Sequence, residues 1–466
     1  MKIRSTLHIK SVIFLLPFFL YEDVLLSALM LGAGIFLIYS EKVKQAIASL
    51  DWREYLFFVY MFHMLFGERN FAYVGIEPLF VTEIVLVILT AAYAKDLLKI
   101  RRVLMIYYLI VMIGLAYAFV YFFQYKIDAI RDSFMMIYAF WVPLVYHIFR
   151  DRKHYDFFFL LLKLFIVLKA MAYAYEGVLI IAGLRAITFE GFRFGVGYVV
   201  PSLIVMSLFV PLKHLGWKYK ILSLLMIPAV FTIFHRSIFL GILLALTVIF
   251  FMGSNDVKKN ILRYGVSSLA LLIGFLILYN SLVEVDLFQI LERKSSLEEG
   301  NINYRVLSWQ HVMEKFYANF LLGYGVGRPI MFAYQNVFYS TVELTYFQIR
   351  DLAGNAQPHN SYLNILARFG ILIFPFFLFA IFKPLFRIRQ YIAGEARNGS
   401  NEYSMLLLLT GLLMLMYVFT FFNVVLEGPH HSFAFWLVTG MLLSMGRSGL
   451  FTHKMIRIRR SVVTKE

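Results

Sequence analysis

Long apolar runs, separated by short polar segments, dominate the pattern along this chain. Most of them approach the ~20 residues that a helix needs to cross a bilayer once, so they predict membrane-spanning helices. The runs fall near 11–21, 24–39, 55–66, 76–94, 103–123, 133–149, 155–181, 196–212, 219–234, 237–252, 264–280, 361–382, 404–422 and 433–446. The shortest could be helical hairpins or re-entrant segments. We therefore predict an all-α, polytopic integral membrane protein with about 12–14 transmembrane helices.

The composition agrees with this class. Of 466 residues, 61% are hydrophobic and 15% are charged, whereas soluble domains carry about 25% charged residues. The net charge of +16 fits the surplus of Lys and Arg in the cytoplasmic loops of inner-membrane proteins. Nucleic-acid binding would need a basic soluble domain, and the pattern leaves no room for one. The chain has no cysteine, which excludes disulfides and thiolate metal sites.

The loops predict the orientation. With the N-terminus inside, the inner segments carry 29 Lys and Arg residues and the short outer loops carry 6, which is the bias that cytoplasmic loops show. The basic N-terminal segment resembles the start of a signal peptide. No small-residue cleavage site follows it, so we interpret it as part of an uncleaved first helix. We expect a multi-pass protein of the bacterial cytoplasmic membrane with both termini in the cytoplasm.

One outer loop is far longer than a simple connector. It covers residues 281–360 and includes a predicted helix over residues 303–320. The chain is therefore expected to have three parts. These are a membrane helical domain over 1–280, a large periplasmic loop over 281–360, and closing membrane helices with a basic cytoplasmic tail over 361–466.

The end of this loop carries the first candidate for chemistry, the segment Pro358-His359-Asn360-Ser361. Pro358 cannot continue a helix from upstream, and Asn360 or Ser361 can cap the helix that follows. His359 then lies at the positive end of that helix, which favours a neutral imidazole able to accept a proton. The alternative is a histidine that is hydrogen-bonded to loop backbone. Gly370 follows in the same predicted helix, where glycine permits the close approach of another helix.

Two other segments bring arginine to the outer face. Arg236 lies at a break between apolar runs, and Leu240 follows one helical turn later. An arginine at membrane depth usually has a partner or a substrate, although it can also snorkel to the interface. In the long loop, Arg305 could bind an anion in a bidentate manner, or it could be a solvated surface residue.

A glycine cluster follows Trp309 in the long loop. Gly323 and Gly325 precede Arg328, and the glycines are too closely spaced for a dinucleotide fingerprint. The cluster could form a backbone nest for an anion, or it could be a flexible turn.

The last outer loop places Glu427 close to His430 and His431. A glutamate beside two histidines suggests a metal site, but the spacing fits no zinc motif. We favour loop structure or substrate contact for these residues, with no metal.

Together these features resemble the superfamily of O-antigen ligases and Wzy-type O-antigen polymerases, which are bacterial membrane glycosyltransferases. The ligases show His followed by Asn, Ser or Gln, then nine residues and Gly; His359, Asn360 and Gly370 match this motif. The ligases also show an arginine, three residues and a leucine at an outer loop, and Arg236 and Leu240 match that pattern.

The long loop adds to the resemblance. The helical segment from Arg305 to Trp309, followed by Gly323 and Gly325, is similar to the family's loop, and the likeness covers about residues 196–375. The ligase motif continues to a Gly, Thr or Tyr where this chain has Ile373. Both a ligase and a polymerase therefore remain open.

The resemblance implies transfer of a glycan from a polyprenyl diphosphate-linked donor on the outer face of the cytoplasmic membrane. The acceptor would be lipid A-core or another glycan repeat unit, and polysaccharide assembly proteins would be further partners. His359 and Arg236 would be catalytic, and Arg236, Arg305 and Arg328 would bind the diphosphate. A diphosphate is already a good leaving group, so a metal is not obligatory, and we expect a metal-independent enzyme without a cofactor. We expect inversion at the anomeric carbon, because the displacement would be direct.

The main alternative is a transporter or flippase of the lipid-linked oligosaccharide. Such a protein would place its charges in a cavity at mid-membrane, often with repeat symmetry, whereas the candidate residues cluster at one face. A scaffold of polysaccharide assembly is a second alternative, and it would not need a buried arginine.

Overall fold

The computed structural model describes residues 10, 14, 41–76, 79–99, 101–181, 199–212, 215–228, 236–282, 300–328, 330, 358–394 and 401–445. Helices make up nearly all of this part of the chain. They are α1 (Glu41–Ala48), α2 (Trp52–Ala72), α3 (Val81–Ala92), α4 (Ala94–Leu97), α5 (Met105–Tyr125), α6 (Ile127–Ile137), α7 (Trp141–Ile148), α8 (Arg152–Ile181), α9 (Val199–Phe209), α10 (Trp217–Leu225), α11 (Arg236–Met252), α12 (Asn255–Leu282), α13 (Gly300–Ala318), α14 (Ser361–Gly394), α15 (Asn401–Phe422) and α16 (Pro429–Ser444). A small hairpin pairs β1 (Gly75–Ile76) with β2 (Leu79–Phe80) in antiparallel register.

Four of the described helices are long and apolar enough to cross a membrane. They are Met105–Tyr125 in α5, Arg152–Tyr175 in α8, Ser361–Arg389 in α14 and Glu402–Phe422 in α15. The segments Val81–Ala92 and Ser237–Met252 are shorter apolar helices. These helices confirm the all-α, multi-pass membrane class, while the number of spans, the orientation and the three domain boundaries stay predictions.

Several helices differ from the apolar runs that predicted them. The short run at 55–66 belongs to the 21-residue helix α2, because its polar flanks continue the helix. The helix in the run at 76–94 starts only at Val81, where Glu83 accepts a hydrogen bond from the backbone N–H of Phe80 at 2.8 Å. The runs at 11–21 and 24–39 lie outside the described residues, apart from Phe14.

Helix α16 lies in the middle of the bundle. Every residue from Pro429 to Ser444 except His430 is buried, and the helix packs on α2, α7, α14 and α15. The rings of Phe433 and Trp141 meet edge to face at 4.9 Å between centroids. A helix that is apolar around its whole circumference is buried either in protein or in lipid, and here the neighbouring helices bury it.

Helix α14 bends sharply at Gly370, whose backbone is not helical (φ 74°, ψ 175°). The Tyr362 hydroxyl donates to the carbonyl of Tyr417 at 3.4 Å. The Tyr417 hydroxyl in turn donates to the carbonyl of Ile381 at 2.6 Å. In a straight helix, residues 362 and 381 would be about 28 Å apart, which is too far for one tyrosine to contact both. The predicted single helix over 361–382 is therefore two helical segments, 361–369 and 371–394.

Candidate active site

His359 lies two residues before Ser361, the first residue of α14, and is partly buried. The Asn360 side chain caps this helix, because its Oδ1 accepts the backbone N–H of Leu363 at 3.0 Å. The local prediction of a capped helix start next to His359 is thus confirmed, with Asn360 as the cap. The cap fixes the backbone that carries the imidazole.

The imidazole of His359 is held in its neutral form. Burial lowers the pKa of His359 to about 4, and the positive charge of Arg305 acts in the same direction. From the sequence, we expected the helix dipole to keep the imidazole of His359 neutral. In the structure, desolvation is the main cause. Arg305 thus acts on the pKa of His359 although the two residues are 54 positions apart in the sequence.

Arg236 begins α11, and its side chain lies outside the described residues. The next residue, Ser237, accepts a hydrogen bond from Nδ2 of Asn423 at 2.9 Å. The carbonyl oxygen of Asn423 lies 3.2 Å from the hydroxyl oxygen of Ser361. These two contacts bring the starts of α11 and α14 together at one end of the bundle. Leu240, in the same motif as Arg236, is 47% exposed.

Helix α13 packs along the first segment of α14. Val312 and Phe316 on α13 form a small buried cluster with Ala367 on α14. Trp309 meets the Phe421 ring edge to face at 5.8 Å between centroids. This packing places Arg305, one turn before Trp309, at the His359 end of α14. The helix that the sequence predicted over 303–320 is thereby confirmed as Gly300–Ala318.

The glycine cluster forms a turn over residues 319–328, hereafter the glycine turn, which docks on the bend in α14. On one side of the bend, the N–H groups of Tyr324 and Gly325 donate to the carbonyls of Ala367 and Arg368, at 2.7 Å and 3.0 Å. On the other side, the N–H of Ile371 donates to the carbonyl of Phe320 at 3.0 Å. The turn therefore satisfies backbone groups that the broken helix would otherwise leave unpaired.

This docking corrects two expectations. The backbone nest for an anion does not form at Gly325, because its N–H is already donated within the protein. The partner that approaches Gly370 is the glycine turn rather than another helix. A Cβ on Gly370 would lie 2.3 Å from the carbonyl oxygen of Leu321, and a Cβ on Gly323 would lie 2.4 Å from the carbonyl of Arg368.

Arg328 is held at the end of the glycine turn by aromatic rings. Its guanidinium carbon lies 5.6 Å from the ring centroids of both Tyr121 and Tyr125, and 5.3 Å from that of Tyr324. Such cation–π contacts fix the direction of the side chain while leaving the cation charged.

A chain of buried polar groups, hereafter the polar chain, joins the glycine turn to the start of α14. It begins with an ion pair in which Arg368 Nη1 lies 2.7 Å from Asp132 Oδ2, and both side chains are 2% exposed. The Nε of Arg368 donates to Asn364 Oδ1 at 3.0 Å. The Nδ2 of Asn364 donates to Glu427 Oε1 at 3.0 Å. The other oxygen of Glu427 accepts the hydroxyl of Ser361.

Arg368 and Asp132 were not among the site residues predicted from the sequence. Arg368 is a charge inside an apolar run, which is itself a signal of function, whereas nothing in the sequence pairs it with Asp132. Glu427 was noted beside two histidines, but its carboxyl group faces Ser361 and Asn364 instead. Burial raises the pKa of Glu427, and the two donors oppose that shift.

The two histidines expected in the last outer loop lie instead in the first turn of α16, where they form a separate aromatic cluster. The ring centroids of His430 and His431 are 3.6 Å apart, and the His430 ring lies 5.9 Å from that of Tyr73. These ring contacts give His430 and His431 a packing role at the start of α16 rather than in a loop.

Residues 221–378 match the family model for O-antigen ligase. Over this stretch the chain is similar to the O-antigen ligases. The resemblance found in the sequence is thereby confirmed, and the matched region contains Arg236, Arg305, Arg328, His359 and Gly370. No curated protein matches the chain.

The match to the O-antigen ligase family supports, in general terms, glycosyl transfer by a membrane enzyme. It also implies lipid-linked glycan and polysaccharide substrates, and a multi-pass protein of a bacterial inner membrane.

Proposed function

We propose that this protein transfers a glycan from a polyprenyl diphosphate-linked donor to an acceptor hydroxyl at the outer face of the cytoplasmic membrane. The acceptor is lipid A-core if the protein is a ligase, and a further repeat unit if it is a polymerase. The observation that carries the proposal is the packing of α13 on the first segment of α14, which brings Arg305 to the end of α14 that His359 precedes. Burial keeps the imidazole of His359 neutral there. This position also adjoins the start of α11, the helix that Arg236 begins.

The arginines and the histidine have separate roles in the proposed reaction. Arg236, Arg305 and Arg328 compensate the negative charge of the diphosphate and of the leaving group, as fixed cations do in phosphoryl chemistry. His359 accepts the proton of the acceptor hydroxyl as its oxygen forms a bond to the anomeric carbon. The bond to the diphosphate oxygen breaks on the opposite side of the sugar, so the anomeric configuration inverts. The chemistry requires no metal and no further cofactor.

The test is a transfer assay with the purified full chain, a lipid diphosphate-linked glycan and either lipid A-core or a second lipid-linked repeat unit. We expect a new glycosidic bond with one of the two acceptors. Arg236→Ala should lower the rate by about 100-fold or more, because a transition-state cation is lost. Arg53→Ala is the matched control, since Arg53 pairs with Asp51 at the start of α2, away from this site.

The assay also separates the competing functions. Movement of labelled donor across liposomes without a new glycosidic bond would identify a flippase and refute the proposal. In cells lacking the gene, core without long chains would identify a ligase. Core that carries a single repeat unit would identify a polymerase.

The low pKa of His359 predicts an unusual pH dependence. A base with a pKa of about 4 stays deprotonated at all higher pH values. The enzyme should therefore lose activity only as the pH falls through 4. The acid limb of kcat/KM, which reports the free enzyme, should therefore lie near pH 4 rather than near 6.5. Arg305→Gln removes one cause of the low pKa and should move this limb to higher pH. A limb near 6.5 in the unmodified protein would contradict a buried base.

A further inference from the structure

Asp132 and Arg368 form a buried ion pair. Burying two charges costs several kcal/mol per ion before their attraction offsets it, and apolar replacements of such pairs are often neutral or stabilising. A contribution to folding stability is therefore a weak explanation for the presence of this ion pair. Its geometry indicates a second role.

Arg368 distributes its hydrogen bonds over three segments of the chain. Its Nη1 pairs with Asp132 on α6 and lies 3.3 Å from the carbonyl oxygens of both Gly325 and Arg328 in the glycine turn. Its Nε donates along α14 to Asn364. The carboxylate of Asp132 also accepts the N–H of Gly327 at 2.8 Å. The pair thus clamps the glycine turn from two sides and fixes it to α14.

The polar chain then continues to the catalytic end of α14. Glu427 accepts from Asn364 and from Ser361, and Ser361 is two residues beyond His359. The Ser361 hydroxyl oxygen also accepts the backbone N–H groups of Val425 and Leu426, at 2.9 Å and 3.2 Å. One continuous set of buried hydrogen bonds therefore runs from the turn that carries Arg328 to the helix start that carries His359.

We propose that Arg368 is a positioning residue that sets the places of His359 and Arg328 relative to each other. The inference rests on the proposed function, and it adds a residue that acts through others without touching the substrate. A planar guanidinium with a fixed fork of donors can serve Asp132, the turn carbonyls and Asn364 at once. A lysine at this position can pair with Asp132, but its single ammonium group cannot hold the remaining partners in place.

The test uses Arg368→Lys in the full chain, because this variant keeps a positive charge beside Asp132 and so preserves the buried pairing. Hydrogen exchange is measured at the amides of Gly325 and Gly327 in the turn, and at those of Leu363 and Asn364 in the first turn of α14. We expect exchange to be about tenfold faster in both segments, since each loses the same anchor. The matched control is Arg53→Lys, whose ion pair with Asp51 lies outside the polar chain.

The same variant is assayed for transfer. We expect kcat to fall by about 10–100-fold with the donor KM within about threefold, because misplacement of the base affects chemistry more than donor binding. A purely structural role would reduce the yield of folded protein and leave the kinetics of the folded fraction unchanged. That result, or unchanged exchange at Leu363 and Asn364, would overturn the inference.

Asn364→Leu provides a second variant that interrupts the polar chain and leaves the ion pair of Asp132 and Arg368 intact. We expect the same loss of kcat, with exchange unchanged at Gly327, and wild-type kinetics in this variant would contradict the inference. If the unmodified protein transfers no glycan, the proposed function fails. The exchange data would still decide whether Arg368 couples the two segments.

Discussion

Replacing His359 with alanine is expected to lower kcat by about 10²–10⁴-fold, the contribution of a positioned general base. The residue lies outside the core of the bundle and immediately before a capped helix. Its loss should therefore leave the fold intact. The measurement is transfer by the purified variant, together with its elution in gel filtration and its thermal unfolding midpoint.

A second histidine provides the control for this result. His311 lies on α13, where its Nδ1 is 3.5 Å from Glu314. It belongs to the same loop but is not part of the proposed chemistry. His311→Ala should keep nearly full activity. If His359→Ala retained the wild-type rate at neutral pH, His359 would not be the base, and the assignment of this site would be lost.

Gly370→Ala is expected to have the largest effect on stability. The backbone of Gly370 (φ 74°, ψ 175°) lies in a region that is essentially reserved for glycine, and another residue there costs about 1–3 kcal/mol. The added Cβ would also lie 2.3 Å from the carbonyl oxygen of Leu321 and 2.5 Å from the amide of Gly323. Both obstacles are backbone atoms, so the glycine turn must move away from α14, at a further cost of about 1–3 kcal/mol.

Thermal unfolding in detergent and proteolysis of the glycine turn would measure this effect. The matched control is Gly265→Ala in α12, because a Cβ at Gly265 would meet nothing within 4 Å. Alanine there should be neutral or slightly stabilising. If the Gly370 variant unfolded at the same temperature as the control and kept a protected turn, the docking of the turn on the bend would be refuted.

The helices and the helix start at His359 could be predicted from the sequence because they depend on local patterns. Apolar length located the membrane helices, and an asparagine after a proline located the cap of α14. The bend at Gly370 could not be predicted, because a glycine in an apolar run also fits plain helix packing. The bend is caused by the docking of the glycine turn, and a local sequence pattern cannot show that these two segments meet.

The polar chain could not be predicted from the sequence for a related reason. Asp132, Arg368 and Glu427 come from three distant parts of the chain, and each alone is compatible with a solvated loop or a snorkelling side chain. The motif residues Arg236 and Leu240 were found through the resemblance. The side chain of Arg236 lies outside the described residues, so its contact with the diphosphate stays a prediction.

The central place of α16 has a consequence for biosynthesis. This helix is only 16 residues long, or about 24 Å, and it presents no face to lipid. Since it follows all the other described helices in the chain, those helices cannot settle around it until Pro429–Ser444 has been synthesised. We therefore expect nascent chains that stop before Pro429 to remain unassembled in the membrane, where they would be substrates for quality-control proteases.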